Sequence, residues 1–247
     1  MIFRYHILIE YVGTSFIGWQ SQPKGKSVQK TIENSLKKIL KEKISVVGQG
    51  RLDAGVHAIS QSAHFDTEKK IFDVKKFHNR LNFILNKSSI SILSIKKKNE
   101  KFHSRYSAKA RVYQYIIFNR ESVPTINKNR GWHIKKKINL DDIKKGARFL
   151  IGKRDFSTFR SSSCSAKSPI RTLEKVNISK KKNQISIEFK SRSFLQTQVR
   201  SMVGCLKYLG EGKWNFKKFK EVTLSKKRIL CAPPAPPHGL FLKKVIY

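Results

Sequence analysis

Acidic residues are scarce in this chain of 247 residues: 16 Asp and Glu stand against 53 Lys and Arg, a formal net charge of +37. The excess is far larger than solubility requires and points to a polyanionic partner, nucleic acid ahead of a membrane surface. A lysine-rich composition would raise the charge of any surface, as the runs Lys135-Lys136-Lys137 and Lys180-Lys181-Lys182 illustrate. Charge alone therefore does not name the partner. Cysteine is also rare. Cys164, Cys205 and Cys231 are odd in number, widely spaced and free of any Cys-x-x-Cys pattern, which argues against a disulfide framework and a zinc site and suits a reduced, cytoplasmic protein. His57 and His64 lie close together, but no third ligand falls at a metal-binding spacing, so no metal is expected. An apolar run of about 20 residues is missing, as is the apolar block of a signal peptide, so no membrane segment is expected. A glycine-rich phosphate loop of the nucleotide-binding kind is missing too. The shortage of acids leaves little room for the carboxylate pair of a glycoside hydrolase.

What is present is alternation and helical spacing in a recurring order. Phe3, Tyr5, Ile7, Ile9 and Tyr11 occupy one face of a strand. Val28, Ile32, Leu36, Ile39 and Leu40 recur at helical spacing behind Ser27, a suitable N-cap. Short strands near 44–47 and 60–65 flank a glycine-bounded turn, a helix carries Val74, Phe77, Leu81 and Ile84, and 89–95 alternates again. Strand, helix, strand, strand, helix, strand is the ferredoxin-like order. The charged stretch Lys96 to Lys101 is the candidate boundary between a 1–100 subdomain and a 101–247 subdomain.

The second half repeats the outline: a strand over 111–119, a helix opened by Asn139 or Asp141, strands near 170–178 and 184–189, a long helix carrying Leu195, Val199, Met202, Val203 and Leu206, a short helix near 216–222 and a terminal strand over 240–246. Residues 121–132 and 153–168 look like long basic loops. The expected architecture is α+β, two ferredoxin-like antiparallel units joined around a central cleft.

The chemistry centres on Gly50-Arg51-Leu52-Asp53-Ala54-Gly55-Val56-His57-Ala58. Glycines on both sides of Asp53 permit positive φ and close approach, so a carboxylate here can be aimed at a ligand. The alternative is an ordinary hairpin turn in which Asp53 bonds its own backbone. This segment resembles the central motif of the tRNA pseudouridine synthases that modify the anticodon stem-loop. The resemblance continues through Tyr11 to Gln20, Ala110 to Tyr115, Arg154 to Phe159, Phe194 to Gly204 and Ala235 to Leu240, so it spans nearly the whole chain. Two positions depart from the family's pattern: Leu52 stands where a threonine is usual and Val12 where an aspartate is usual.

The resemblance implies an isomerase that converts uridine to pseudouridine at positions 38 to 40 of tRNA, without cofactor, as a homodimer. It implies Asp53 as the catalytic carboxylate and Arg200 as its charge partner, held to one side of the apolar stripe near the middle of the long helix. It places Tyr113 under the uracil ring, with Tyr115 on the same strand face as the alternative. Arg51 and His57, and with them His103 and Arg105, are candidates for contacts to the RNA. A catalytically silent RNA-binding protein on the same scaffold is the rival reading, and Leu52 and Val12 are the features that favour it.

Overall fold

The computed structural model describes residues 1–247, which divide into two compact units, 1–109 with 241–247 and 110–240. No helix is long and apolar enough to cross a membrane.

The first unit runs β1 (Phe3–Tyr11), α1 (Val28–Leu40), β2 (Val46–Gly48), β3 (His57–Thr67), α2 (Val74–Leu85) and β4 (Ile90–Lys98). β1 lies between β4 and β3, and β2 pairs with the far edge of β3; all three pairings are antiparallel. This is the ferredoxin-like order expected from the sequence. The Ser27 hydroxyl accepts from the Lys30 amide and caps α1, whose Val28, Ile32, Leu36 and Leu40 are buried together with Tyr5, Ile7 and Ile9 of β1. Each such apolar side chain contributes about 1.5–3 kcal/mol on burial, which outweighs the weak helix propensity of the β-branched members. The charged stretch Lys96 to Lys101 begins inside β4, whose last three residues are exposed lysines, and the first unit continues to Lys109.

This unit also carries an unusual polar core. His6 and His64 are 7 % and 3 % exposed. His6 Nε2 lies 2.7 Å from the Ser62 hydroxyl, and His64 Nδ1 accepts from the Ser104 amide at 3.2 Å. Burial, aided by Lys98 and Lys96, pushes His6 down to about 4; burial, aided by Arg4 and His103, does the same to His64. Both rings are therefore neutral in the fold and take up protons more readily when it opens. Their stabilising effect is complete above about pH 6.5, the unfolded value, and is lost as pH falls towards 4. With partial solvent screening, each should cost about 2 kcal/mol over that window. Urea unfolding at pH 7 and pH 4.5 should show this fall, and His64→Gln should flatten the dependence. Equal stabilities at the two pH values would refute it.

The second unit runs β5 (Ala110–Asn119), β6 (Trp132–Ile134), α3 (Leu140–Leu150), β7 (Gly152–Asp155), β8 (Ile170–Lys181), β9 (Gln184–Ser191), α4 (Gln198–Gly210) and α5 (Phe216–Leu224). β9 lies between β5 and β8 with antiparallel pairings, β7 extends β8, and β6 runs parallel to β5. Asn139, rather than Asp141, caps α3, accepting from the amides of Asp141 and Asp142. The 153–168 stretch is less loop-like than its composition implies: it holds most of β7 and a 3-10 turn at Ser157–Phe159, with Phe156 and Phe159 buried. The terminal strand, β10 (Leu240–Ile246), runs parallel to the start of β3 in the first unit, Phe241 facing His57.

Candidate active site

In the first unit, the loop between β2 and β3 presents Arg51 exposed, Leu52 buried and Asp53 half-buried. The Val56 amide donates to the Asp53 carbonyl at 3.2 Å, closing a four-residue turn with Gly55 at its third position and φ +77°. A turn of this kind needs a residue that tolerates positive φ there, and glycine does so without strain. Asp53 thus opens a tight turn, as the plainer reading supposed, and its side chain remains partly open to solvent.

What fixes the turn is the segment after β1. The Trp19 amide donates to the Leu52 carbonyl at 3.0 Å, and the Gly13 amide donates to His57 Nδ1 at 3.0 Å. A Cβ on Gly13 would lie 1.9 Å from the Val56 carbonyl oxygen, and one on Gly18, whose φ is +117°, would lie 2.7 Å from that of Leu52. Two backbones are therefore in direct contact at the loop, and only glycine fits between them. The bounding glycines of the motif are not equivalent: a Cβ on Gly50 meets nothing within 4 Å and its φ is not positive. Gly50→Ala should leave melting temperature and rate nearly unchanged. Gly13→Ala forces the backbone apart and should cost several kcal/mol, with a large loss of any activity that depends on Asp53. Comparable melting temperatures for the two variants would overturn this account of the loop.

His57 departs from its expected place. It is 2 % exposed, its ring stacks on Phe241 with centroids 4.8 Å apart, and Nδ1 accepts from Gly13, which leaves the neutral ring protonated on Nε2. Burial takes it away from any incoming nucleotide, and its visible work is to tie the Gly13 segment to the start of β3. The departures at Leu52 and Val12 fall on scaffold positions. Leu52 is 6 % exposed, and the Val12 amide donates to the Ser89 carbonyl at 3.1 Å. His103 and Arg105 are in the first unit, where the His103 ring lies 4.4 Å from that of Tyr106 and the Arg105 guanidinium 5.6 Å from the same ring.

In the second unit, the two tyrosines of β5 share a strand face, as periodicity indicates, but differ in burial. Tyr115 is fully buried and its hydroxyl donates to the Pro236 carbonyl at 2.8 Å. Burial raises its pKa above the usual phenol range, against the opposing pull of Arg200. Gly239 is packed against it so closely that a Cβ would come within 2.5 Å of the ring. Tyr113 is half-exposed, resting edge-on against Phe194 at 5.2 Å. Tyr113 is the one that a ligand can reach.

Arg200 is not near the middle of its helix. Thr197, at φ +65°, breaks the helical run, and α4 begins at Gln198, so Arg200 sits in the first turn. Leu195 shares the apolar spacing, but its amide bonds to the Gln198 side chain instead of continuing the helix. A cation in the first turn is disfavoured by the helix dipole, by about 0.3–1 kcal/mol. A β-branched residue at positive φ adds strain at the position before the helix. The protein keeps both. Arg200 Nε donates to the Ala235 carbonyl at 2.7 Å, and the Ala235 amide donates to the Arg200 carbonyl at 2.9 Å, so the guanidinium is clamped to the 231–239 segment. His238 is held below its ordinary value by burial and by Arg200. Phe194, His238 and the glycine contacts of the loop were not singled out individually by the sequence; the motifs that contain them were their only signal.

Comparison with known proteins follows the same outline. A family model described as tRNA pseudouridine synthase matches residues 7–107 and 147–247. A protein named tRNA pseudouridine synthase A from Pelagibacter ubique is 61 % identical over 246 residues, all of both chains. Proteins of that name from Neorickettsia sennetsu and Parvibaculum lavamentivorans are 43 % and 38 % identical, each over 99 % of this chain and at least 99 % of their own.

Proposed function

Because this chain belongs to the tRNA pseudouridine synthase family, we propose that it isomerises uridine to pseudouridine at positions 38 to 40 in the anticodon stem-loop of tRNA, with Asp53 as the catalytic carboxylate. The observation that carries this is the Asp53 turn: a partly exposed carboxylate in a loop pinned by the backbone contacts of Gly13 and Gly18. A rigidly held, accessible acid is what the reaction needs.

Isomerisation breaks the bond from N1 to C1′, rotates the uracil, and joins C5 to C1′, with the proton lost from C5 balanced by one gained at N1. No electrons are gained or lost. An ionised carboxylate can attack C1′, stabilise charge developing on the sugar, or remove a sugar proton. Tyr113 is suited to stack on the detached ring, since it is only half-buried and its ring is steadied by the perpendicular ring of Phe194. Arg200 is proposed to hold the Asp53 carboxylate in the productive orientation, a planar guanidinium being able to give it two hydrogen bonds. Arg51, exposed on the same loop as Asp53, is proposed to contact RNA phosphate. His57 supports the loop from within the core.

The +37 charge supports a tRNA partner. The family resemblance supports a homodimer working in the cytoplasm. The placement of Leu52 and Val12 on the scaffold supports an active enzyme over a silent RNA-binding protein, since neither substitution removes a group from the Asp53 side chain. The test is direct. Purified protein is incubated with unmodified tRNA transcripts, and pseudouridine is mapped along their length. Product confined to positions 38 to 40 is expected; product elsewhere overturns the site choice, and tight binding without product favours the silent protein.

A further inference from the structure

Cys205 and Cys231 are 26 residues apart in sequence, yet their sulfurs lie 3.5 Å from each other within the second unit. Cys205 is 1 % exposed in the middle of α4, whereas Cys231 is half-exposed at the start of the segment that leads to Ala235. That segment is strapped along α4. Arg228 donates to the Ser201 hydroxyl at 2.8 Å, a Cβ on Gly204 would meet the Pro233 carbonyl oxygen at 2.1 Å, and Ala235 exchanges two hydrogen bonds with Arg200. One end of the strap is thus a cysteine pair and the other holds the proposed partner of Asp53.

We propose that Cys205 and Cys231 form a peroxide-responsive dithiol, which closes to a reversible disulfide and slows the enzyme through the strap that clamps Arg200. Cys231 is the attacking thiol. It is the more accessible, and the Cys205 thiol and the Arg228 guanidinium both stabilise its thiolate, holding its pKa below the usual thiol range. Cys205 is pushed up by its hydrogen bond to Cys231 and by burial, so it stays protonated until it is used.

The Cys231 thiolate attacks one oxygen of hydrogen peroxide, the O–O bond breaks, and the departing hydroxide takes a proton to become water. Cys205 sulfur then attacks the resulting sulfenic sulfur; the S–OH bond breaks, the S–S bond forms, and a second water leaves with the Cys205 proton. Two thiols and one peroxide give one disulfide and two waters. The sulfurs must close from 3.5 Å by about 1.5 Å to reach bonding distance. The strap carries that movement towards Arg200, where a displacement of a fraction of an ångström is enough to slow a positioned reaction severalfold or more.

The effect on rate rests on the proposed function; the cross-link does not. Full-length reduced protein is treated with graded hydrogen peroxide, then assayed for intact mass, cross-linked peptides and pseudouridine formation, before and after dithiothreitol. The expected result is a loss of two hydrogen masses, a Cys205–Cys231 peptide, and a rate lowered about tenfold and restored by reductant. Cys231→Ser should abolish both the cross-link and the reversible inhibition. Cys205→Ala should leave a trappable sulfenic acid on Cys231. Failure to form the peptide at peroxide levels that oxidise Cys164 overturns the dithiol. An unchanged rate in the cross-linked protein, or equal inhibition of Cys231→Ser, overturns the control of activity. A cross-link that forms in protein whose reduced form makes no pseudouridine would count against the assigned reaction and leave the thiol chemistry standing.

Discussion

Asp53→Asn is expected to lower the rate of pseudouridine formation by at least about a thousandfold, while the melting temperature and tRNA affinity remain close to those of the unaltered protein. Asparagine is nearly the same size and accepts positive or negative φ in turns, so the turn closed by the Val56 amide on the residue 53 carbonyl persists. Gly13 and Gly18 hold the loop through main-chain groups that the substitution does not touch. Affinity should persist because the 53 basic side chains supply it and one carboxylate works slightly against it. What is lost is the charge that any of the three proposed roles at the sugar requires. A single-turnover assay on a tRNA transcript decides the matter: an Asp53→Asn enzyme that retains more than about a tenth of the rate would remove Asp53 from the chemistry.

Loss of Arg200 should be the next most costly, and its two substitutions separate charge from geometry. Arg200→Lys keeps the charge but loses the planar fork and the Nε donor that binds the Ala235 carbonyl at 2.7 Å. Arg200→Ala loses all three and leaves that carbonyl without its side-chain donor. On the order of a hundredfold loss is expected for Ala and a smaller one for Lys, with both falling on kcat more than on KM. A structural role alone would move stability without this ranking. A second readout is independent of activity: Arg200 is one of two influences that hold the His238 pKa down, so in Arg200→Ala the imidazole should titrate at higher pH by NMR. An unchanged rate in the Ala variant would refute its part in catalysis, and an unmoved His238 titration would refute the local electrostatics.

Much of the local structure was legible because it is written at short range. Ser27 ahead of Val28, Ile32 and Leu36 announces α1 and its cap, since capping and the apolar stripe both act within a turn or two of helix. The alternation Phe3, Tyr5, Ile7, Ile9 announces β1, and the order of elements in the first half announces the antiparallel order β4, β1, β3, β2. The start of α4 departs from the spacing for the same reason. Leu195 and Val199 have helical spacing, but Thr197 at positive φ ends the run, and a threonine in that conformation is held by its surroundings rather than by its own preference.

By itself, then, the sequence determined the class of element at most positions, the basic character of the surface and, through its motifs, Asp53, Tyr113 and Arg200 as the residues to ask about. Only the tertiary structure decided how each is held and how far it is exposed. Tyr113 and Tyr115 have the same parity in one strand, and it is the packing of Pro236 and Gly239, distant in sequence, that encloses Tyr115 and leaves Tyr113 open. His57 follows the Asp53 turn in sequence, and contacts with Gly13 and Phe241 take it into the core. Cys205 and Cys231 have no spacing that marks them as a pair; the strap along α4 brings their sulfurs together. Periodicity records what neighbours along the chain can satisfy between themselves, whereas exposure, protonation and pairing are set by groups that only folding brings within bonding distance.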